Sequence, residues 1–428
     1  MNTKLLLSGA ALLAVAGMGA AAPAQAKETW GKGAPEFSDP DGNIKFKVRG
    51  RVQWDAVSYD QDLGATANDK DGFTSRARRA RIGVEGSFDS KFKYKAEFTL
   101  LGRNNDTLTV TKNGGGVVTN VTESNGTQVE YEDMFIEYAA TPMISVIVGN
   151  QDQGYTLERL TSSRFITNME RNMGDQAWGF TRTLGIGVIA AQDNWGVSAF
   201  LNGDSPNNTD TSFAKGSQES WEGRLHGYFT PINTPEQLLY VGGTYRYRSA
   251  QNGSEFQYRA RPETNIGDRL ADTGSTATFE EDALYSVEAA AKYKSVYVQG
   301  QYDMLNAQNK TGNRDADFTS YFVQGGWYIT GESRTYKGGK FDRVTPNNPV
   351  SEGGMGAWEL RGRYDYLDLD DGAIDGGTMD AWTVGVNWQP VKNVRFMGEY
   401  VSASVDDRTA ATANGDFDAL QFRAQFDF

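Results

Sequence analysis

Along most of this chain apolar and polar residues alternate one by one, in stretches broken by links rich in Gly, Asn, Asp and Thr. The last stretch is the cleanest: Leu420, Phe422, Ala424, Phe426 and Phe428 take one face, and Gln421, Arg423, Gln425 and Asp427 the other. A period of two predicts a strand with an oily and a wet side. An exported chain ending on such a strand predicts a barrel that closes there, with its oily side to lipid and its wet side to an aqueous lumen.

Period-two segments fall near 44–58, 76–88, 92–102, 129–139, 143–150, 178–190, 194–203, 220–230, 238–249, 282–293, 296–305, 318–330, 357–370, 380–389, 393–403 and 418–428. That is sixteen, an even number as bacterial single-chain barrels have. The links alternate as well. Those at 59–75, 103–128, 151–177, 204–219, 250–281, 306–317, 371–379 and 404–417 are long, and those at 89–91, 140–142, 191–193, 231–237, 294–295 and 390–392 are tight. External loops and periplasmic turns sort this way when both termini are periplasmic. One link breaks the rule: 331–356 should be a tight turn, yet it is long and carries Arg334, Lys337, Lys340 and Arg343. Long links in compact folds are often functional, so this one is expected to fold into or under the lumen. The fold expected is all-β: a transmembrane antiparallel up-and-down β-barrel of sixteen strands with inward-folded loops.

The first 26 residues change the picture of where the chain works. Lys4, the apolar stretch Leu5 to Ala22 and Ala24-Gln25-Ala26 fit a cleaved secretory signal. The expected organisation is a signal peptide at 1–26, a short periplasmic lead at 27–43 and an outer-membrane barrel at 44–428. No other run reaches the ~18 apolar residues of a membrane-spanning helix. Trp54, Tyr245, Tyr247, Trp327, Trp358, Tyr364, Tyr366, Trp382 and Trp388 sit where aromatic girdles at the two interfaces would lie.

Charge follows the same alternation. In the first strand Lys45, Lys47, Arg49 and Arg51 share the face opposite Phe46, Val48, Val52 and Trp54. A midplane Lys or Arg facing lipid costs roughly 2–4 kcal/mol, so this face must meet water. The second strand adds Arg79 and Arg81, and the third Lys93, Lys95 and Arg103, against Asp55, Glu85 and Glu97. A vertical basic stripe on three adjacent strands results. Arg224, Arg246, Arg248, Lys292, Lys294, Arg361, Arg363, Arg395 and Arg423 are also expected inward, offset by Glu222, Glu288, Asp303, Glu359, Asp365, Glu399 and Asp427. Inward Arg and Lys lower the barrier to anions. The competing reading is that these charges only brace one another across the wall.

Composition narrows the rest. The chain has no cysteine, one histidine and a net charge of −13, or −14 once Lys4 leaves with the leader. Acidity argues against a nucleic-acid partner, and the missing Cys and His against zinc. The lone histidine, His226, would have to serve any Ser-His-acid site; no G-x-S-x-G element accompanies it, and it reads as a polar strand residue. Asp368, Asp370, Asp371 and Asp375 lack the spacing of an EF-hand, and Gly114-Gly115-Gly116 lies in a loop rather than between a strand and a helix. No catalytic residue, metal or cofactor is expected.

Four segments in order resemble the phosphate-selective porin O and P family. They are Arg76-Ala77-Arg78-Arg79-Ala80-Arg81-Ile82-Gly83; Leu160-Thr161-Ser162-Ser163-Arg164 through Met169-Glu170-Arg171; Gly326-Trp327-Tyr328-Ile329-Thr330-Gly331-Glu332; and Gly356-Ala357-Trp358-Glu359-Leu360-Arg361-Gly362-Arg363-Tyr364. The resemblance implies a sixteen-stranded outer-membrane channel, usually a homotrimer set in lipid and lipopolysaccharide, that passes anions through a basic, narrowed lumen. It implies inward folding of 151–177, 250–281 and 331–356, and makes Arg159, Arg164 and Arg171 constriction candidates. The function expected is passive diffusion of small anions, phosphate or related oxyanions among them. The alternative is a non-selective porin for small hydrophilic solutes.

Overall fold

The computed structural model describes residues 27–29, 34–63, 70–101, 107–112, 118–124, 129–207, 220–251, 255–274, 279–308, 315–372, 374–406 and 414–428. The expected leader at 1–26, Arg103 and Gly114 to Gly116 lie outside the described residues.

Sixteen strands form the wall. They are β1 (Lys45–Leu63), β2 (Lys70–Phe88), β3 (Phe92–Thr99), β4 (Glu130–Ala139), β5 (Ile144–Gln151), β6 (Thr183–Gln192), β7 (Trp195–Asn202) and β8 (Ser220–Asn233), then β9 (Gln237–Ala250), β10 (Glu281–Tyr293), β11 (Val296–Gln308), β12 (Ala316–Tyr328), β13 (Ala357–Asp371), β14 (Ile374–Val391), β15 (Val394–Asp406) and β16 (Gly415–Asp427). Each pairs antiparallel with its neighbours, and β16 pairs with β1 from Gly415↔Leu63 to Asp427↔Arg51, so the sheet has no free edge. Phe428 continues the seam: its N–H donates to Gly50 O and its carbonyl accepts from Gly50 N–H, both at 3.1 Å. A Cβ at Gly50 would meet the Phe428 ring at 2.5 Å, so a larger residue there must displace the terminal ring.

The predicted faces hold. Arg49, Arg51, Gln53 and Asp55 are buried inside, while Trp54, Trp382, Val384, Leu420 and Phe422 are exposed on the outer surface. Six of the links at the end that carries β1's start and β16's finish are tight, as at 89–91 and 294–295. Asp89 and Ser90 both have positive φ (51° and 52°), the left-handed backbone that tight hairpin turns use. Lys294, expected inside, sits in such a turn at φ 52° and is exposed; β10 ends at Tyr293, so the alternation no longer governs it.

Phe422 lies near the middle of β16, half-exposed, opposite Gly398 and Ala56. Phe422→Arg should therefore lower folding stability by roughly 2–4 kcal/mol, as lipid-facing midplane cations do. Urea titrations in lipid vesicles would read the loss; an unchanged midpoint would mean this face does not meet acyl chains.

The lumen is mostly filled. Residues 152–182 leave β5, form the short helices α1 (Leu157–Leu160) and α2 (Met173–Ala177), and cross the bore. The crossing is pinned on several sides: Ser163 Oγ accepts from Arg51 at 2.6 Å, Met169 N–H donates to Glu399 at 3.1 Å, Met173 N–H to Asp365 at 2.7 Å, and Trp178 Nε1 to Asp303 at 3.0 Å. Residues 255–274 of the next inward loop bring Tyr258, Ala260 and Leu270 into one apolar cluster with Trp178, Phe279, Phe318, Leu367, Val401 and Phe417. The inward face is thus not uniformly wet: where strands pass beyond the crossing loop it becomes a core. The long turn 329–356 also folds inward, seating Phe341 against Leu157, Leu238 and Tyr240. What stays open lies against β1 to β5 and, in a second compartment, against β6 to β8.

Candidate functional site

A cavity of about 590 Å³ separates the crossing loop from that side of the wall. Its lining contains Arg49, Arg51, Arg79, Arg81, Lys95, Arg159, Arg164 and Arg171, eight of the eleven basic residues singled out in the sequence. The other three, Lys45, Lys47 and Lys93, line a separate opening of about 380 Å³ with Glu36, at the end that carries the termini. There Lys47 pairs with Glu85 at 3.3 Å and Lys93 with Glu137 at 3.0 Å.

Three further cations line the cavity: Arg78 and Arg182, which escaped the sequence reading, and Lys340, named there only as part of the inward-folding turn. Arg78 owes its place to a β-bulge. Gln53 pairs with Arg79 but Trp54 pairs with Ala77, so Arg78 is the extra residue. Strict alternation would turn Arg76 and Arg78 to lipid if Arg79 and Arg81 face water. The bulge resets the parity and puts Arg76 opposite inward-facing Asp55. The signal was present in Arg76-Ala77-Arg78-Arg79-Ala80-Arg81, which no straight strand can keep wet. Arg182 precedes Thr183, the first residue of β6, and so escapes alternation too; it pairs with Asp133 at 2.6 Å and Glu132 at 2.9 Å. Lys340 arrives on the inward-folded turn.

Almost every one of these cations has a carboxylate partner. Arg49 pairs with Glu85, Arg51 with Glu97 at 3.0 Å, Arg79 with Glu170 at 3.7 Å, Arg81 with Glu132, and Lys95 with Asp133 and with Glu97 at 3.4 Å. Arg159 lies between Asp152 at 3.0 Å and Asp175 at 2.9 Å. Arg171 donates to the carbonyls of Glu158, Arg159 and Thr161, which makes it a brace for its own loop. Bracing is therefore extensive, as the competing reading held. Its arrangement is lopsided, however. Glu97, Glu132, Glu170, Asp175 and Asp427 are buried and do not contribute to the lining, whereas their cationic partners do. The surface an ion meets carries the positive ends of these pairs.

Arg164 is weakly neutralised: among the described residues it pairs only with Asp427, at 3.7 Å. Burial, then the charges of Arg49 and Arg51, lower its pKa. Burial opposes the charge on Glu170, yet Arg78, Arg79 and Arg423 hold its carboxyl well below the usual range. It stays an anion that anchors the loop to both β2 and β16.

Beyond the cavity, the inward arginines are braces outright. Arg246 and Arg248 share Asp282, Arg361 reaches Glu399 at 2.8 Å, and Arg363 reaches Glu263 at 2.6 Å. A larger compartment of about 930 Å³ opens beyond Gln153 and Leu160, but its lining holds Asp193 and no Lys or Arg. His226 borders it, with Nε2 3.1 Å from Glu288 Oε1. Tyr240 donates to the same oxygen at 2.6 Å, and Glu288 Oε2 accepts from Leu157 N–H at 2.6 Å. The histidine thus belongs to a tether that holds α1 to the wall. Among the described residues, no three His, Cys, Asp or Glu side chains converge as metal ligands. Asp371 in the aspartate-rich loop instead accepts from Asp317 N–H at 2.8 Å.

Comparison with known proteins gives a consistent picture. The model of the family described as phosphate-selective porin O and P matches residues 46–428. Porin O of Pseudomonas aeruginosa is 27% identical over 430 residues, covering 93% of this chain and 91% of that protein. An uncharacterized protein of Caulobacter vibrioides is 29% identical over 406 residues, covering 93% of this chain and 75% of its own length. Among solved structures, in-vitro folded OmpT, an outer membrane protein of Vibrio cholerae, superposes with TM-score 0.55 at 11% identity, over 90% of this chain and 98% of that one. An anion-selective porin from Comamonas acidovorans gives TM-score 0.54 at 11% identity, over 90% and 100%. At such identities these two speak for the barrel alone.

Proposed function

The chain belongs to the phosphate-selective porin O and P family and is an outer-membrane porin; from that premise we propose that it passes small anions passively, phosphate or related oxyanions among them. The observation that carries this reading is the lining of the 590 Å³ cavity, with eleven Lys or Arg against Glu85, Asp133, Glu137, Asp152 and Asp342. Charge-assisted N–H groups there replace part of an anion's hydration, and a cation meets the same groups as repulsion. Pairing with recessed carboxylates keeps each site weak, so an ion that enters also leaves. The lysines at the lower opening extend the basic track beyond the cavity. The assembly proposed is a homotrimer surrounded by lipid and lipopolysaccharide.

Planar bilayers test the selectivity. Under a KCl gradient the reversal potential should favour chloride, and added phosphate should depress the chloride current as the two compete for the same groups. A potential favouring potassium would overturn the proposal. The extensive bracing supports a second reading, a porin for small hydrophilic solutes without charge preference. A reversal potential near zero would establish it.

A further inference from the structure

Beside the basic cavity, under the crossing loop, lies a small chamber bounded by Arg164, Tyr297, Arg334, Glu359 and Arg395. It shares Arg164, Phe165 and Asp342 with the cavity, so the two adjoin. Its volume is about 10 Å³, room for the centre of one water-sized particle.

Arg334 makes this chamber unusual. The residue is 2% exposed, and its guanidinium carbon lies 4.3 Å from the centre of the Tyr297 ring and 3.8 Å from that of Phe341. Ring faces attract a cation but accept its N–H groups poorly. Neither Nη1 nor Nη2 has a hydrogen-bond partner among the described residues. Other buried arginines differ: Arg361, Arg363 and Arg423 each hold a carboxylate within 2.8 Å. The two acids of the chamber are engaged. Glu359 accepts from Tyr297 at 2.5 Å and Asn387 at 2.7 Å and faces Arg395 at 3.7 Å, while Asp342 accepts from Arg343 N–H at 2.7 Å. Three guanidinium groups therefore surround the space against two committed carboxylates. A buried cation without acceptors carries a large desolvation penalty, which an anion would remove.

We propose that this chamber binds a single monatomic anion of halide size, held chiefly by Arg334, and that the ion fastens the turn 329–356 to the barrel wall. Room for one water-sized centre suits a monatomic ion better than a tetrahedral phosphate, so this occupant differs from the oxyanions proposed as permeants. The shared lining at Arg164 gives it a route in from the cavity.

Crystals of the full mature chain grown in bromide, measured at the bromine absorption edge, test the site. An anomalous peak beside Arg334 is expected, and Arg334→Met, which keeps the apolar stem against both rings, should abolish it while peaks elsewhere remain. No peak in the chamber when others are seen, or an equal peak in the variant, would overturn the proposal. If the variant does not assemble, the wild-type crystals decide. The fastening role has its own readout: the wild-type unfolding midpoint should be higher in bromide than in gluconate at equal ionic strength, and equal midpoints would refute it.

Discussion

Arg423→Met is expected to lower stability by about 3–5 kcal/mol, the range for breaking a buried ion pair from one side. Arg423 is fully buried; it meets Asp55 through two contacts of 2.7 Å and Glu170 at 2.8 Å, and also donates to the Met169 carbonyl. Asp55 lies on β1, Arg423 on β16 and Glu170 on the crossing loop. One guanidinium therefore joins the closing seam to the element that narrows the bore. Methionine would leave the Asp55 carboxylate desolvated and release one side of the loop. Two measurements should move together: the unfolding midpoint should fall, and single-channel current should rise and become noisier. A wild-type midpoint with wild-type current would show that the strand ladder alone holds the seam.

The second large effect concerns selectivity. Arg164→Glu puts a carboxylate on the cavity lining at a cation that is only weakly neutralised. A unit charge about 5 Å from a passing ion is worth about 0.8 kcal/mol even at the dielectric of water, so reversing it moves an anion and a cation by about 1.7 kcal/mol each, in opposite directions, and their difference by about 3.3 kcal/mol. That is roughly a hundredfold change in the anion-to-cation permeability ratio, or somewhat more. Arg49, Arg51 and Arg343 lie near enough to influence Arg164 and would hold the new carboxylate, which favours a folded variant. Lys93→Gln, at the lower opening, should shift the reversal potential much less. Equal shifts from both would mean that the cavity is not the selective step.

The strands were legible because lipid and water on opposite faces impose a period of two, and all sixteen segments recur as wall strands. Their lengths were less so. β1 and β2 run to Leu63 and start at Lys70, beyond the predicted 58 and 76. There Ser58, Asp60 and Asp71 are exposed on the outer face, both faces are polar, and the rhythm that marks a strand vanishes. Site residues on straight strand were legible for the same reason, as Arg49, Arg51, Arg79, Arg81 and Lys95 show. Arg78 required a bulge and Arg182 a loop, and neither obeys the rhythm. Period alone could not tell lining from brace. Arg363 and Arg79 occupy equivalent inward positions, and only the fold brings Glu263 to the first. Nor could it foresee that Leu367, Val401 and Phe417, on the nominally wet face, pack against Tyr258 and Phe279.

A chain with a single imidazole carries its own spectroscopic reporter. Because His226 shares the Glu288 carboxylate that receives the Leu157 amide proton, nitrogen-15 labelling of histidine alone would yield ring signals from one residue, sensitive to whether the crossing loop is attached. They could be followed in detergent or bilayer without assigning the remaining spectrum. Detachment of that segment by voltage, solute or mutation would register there.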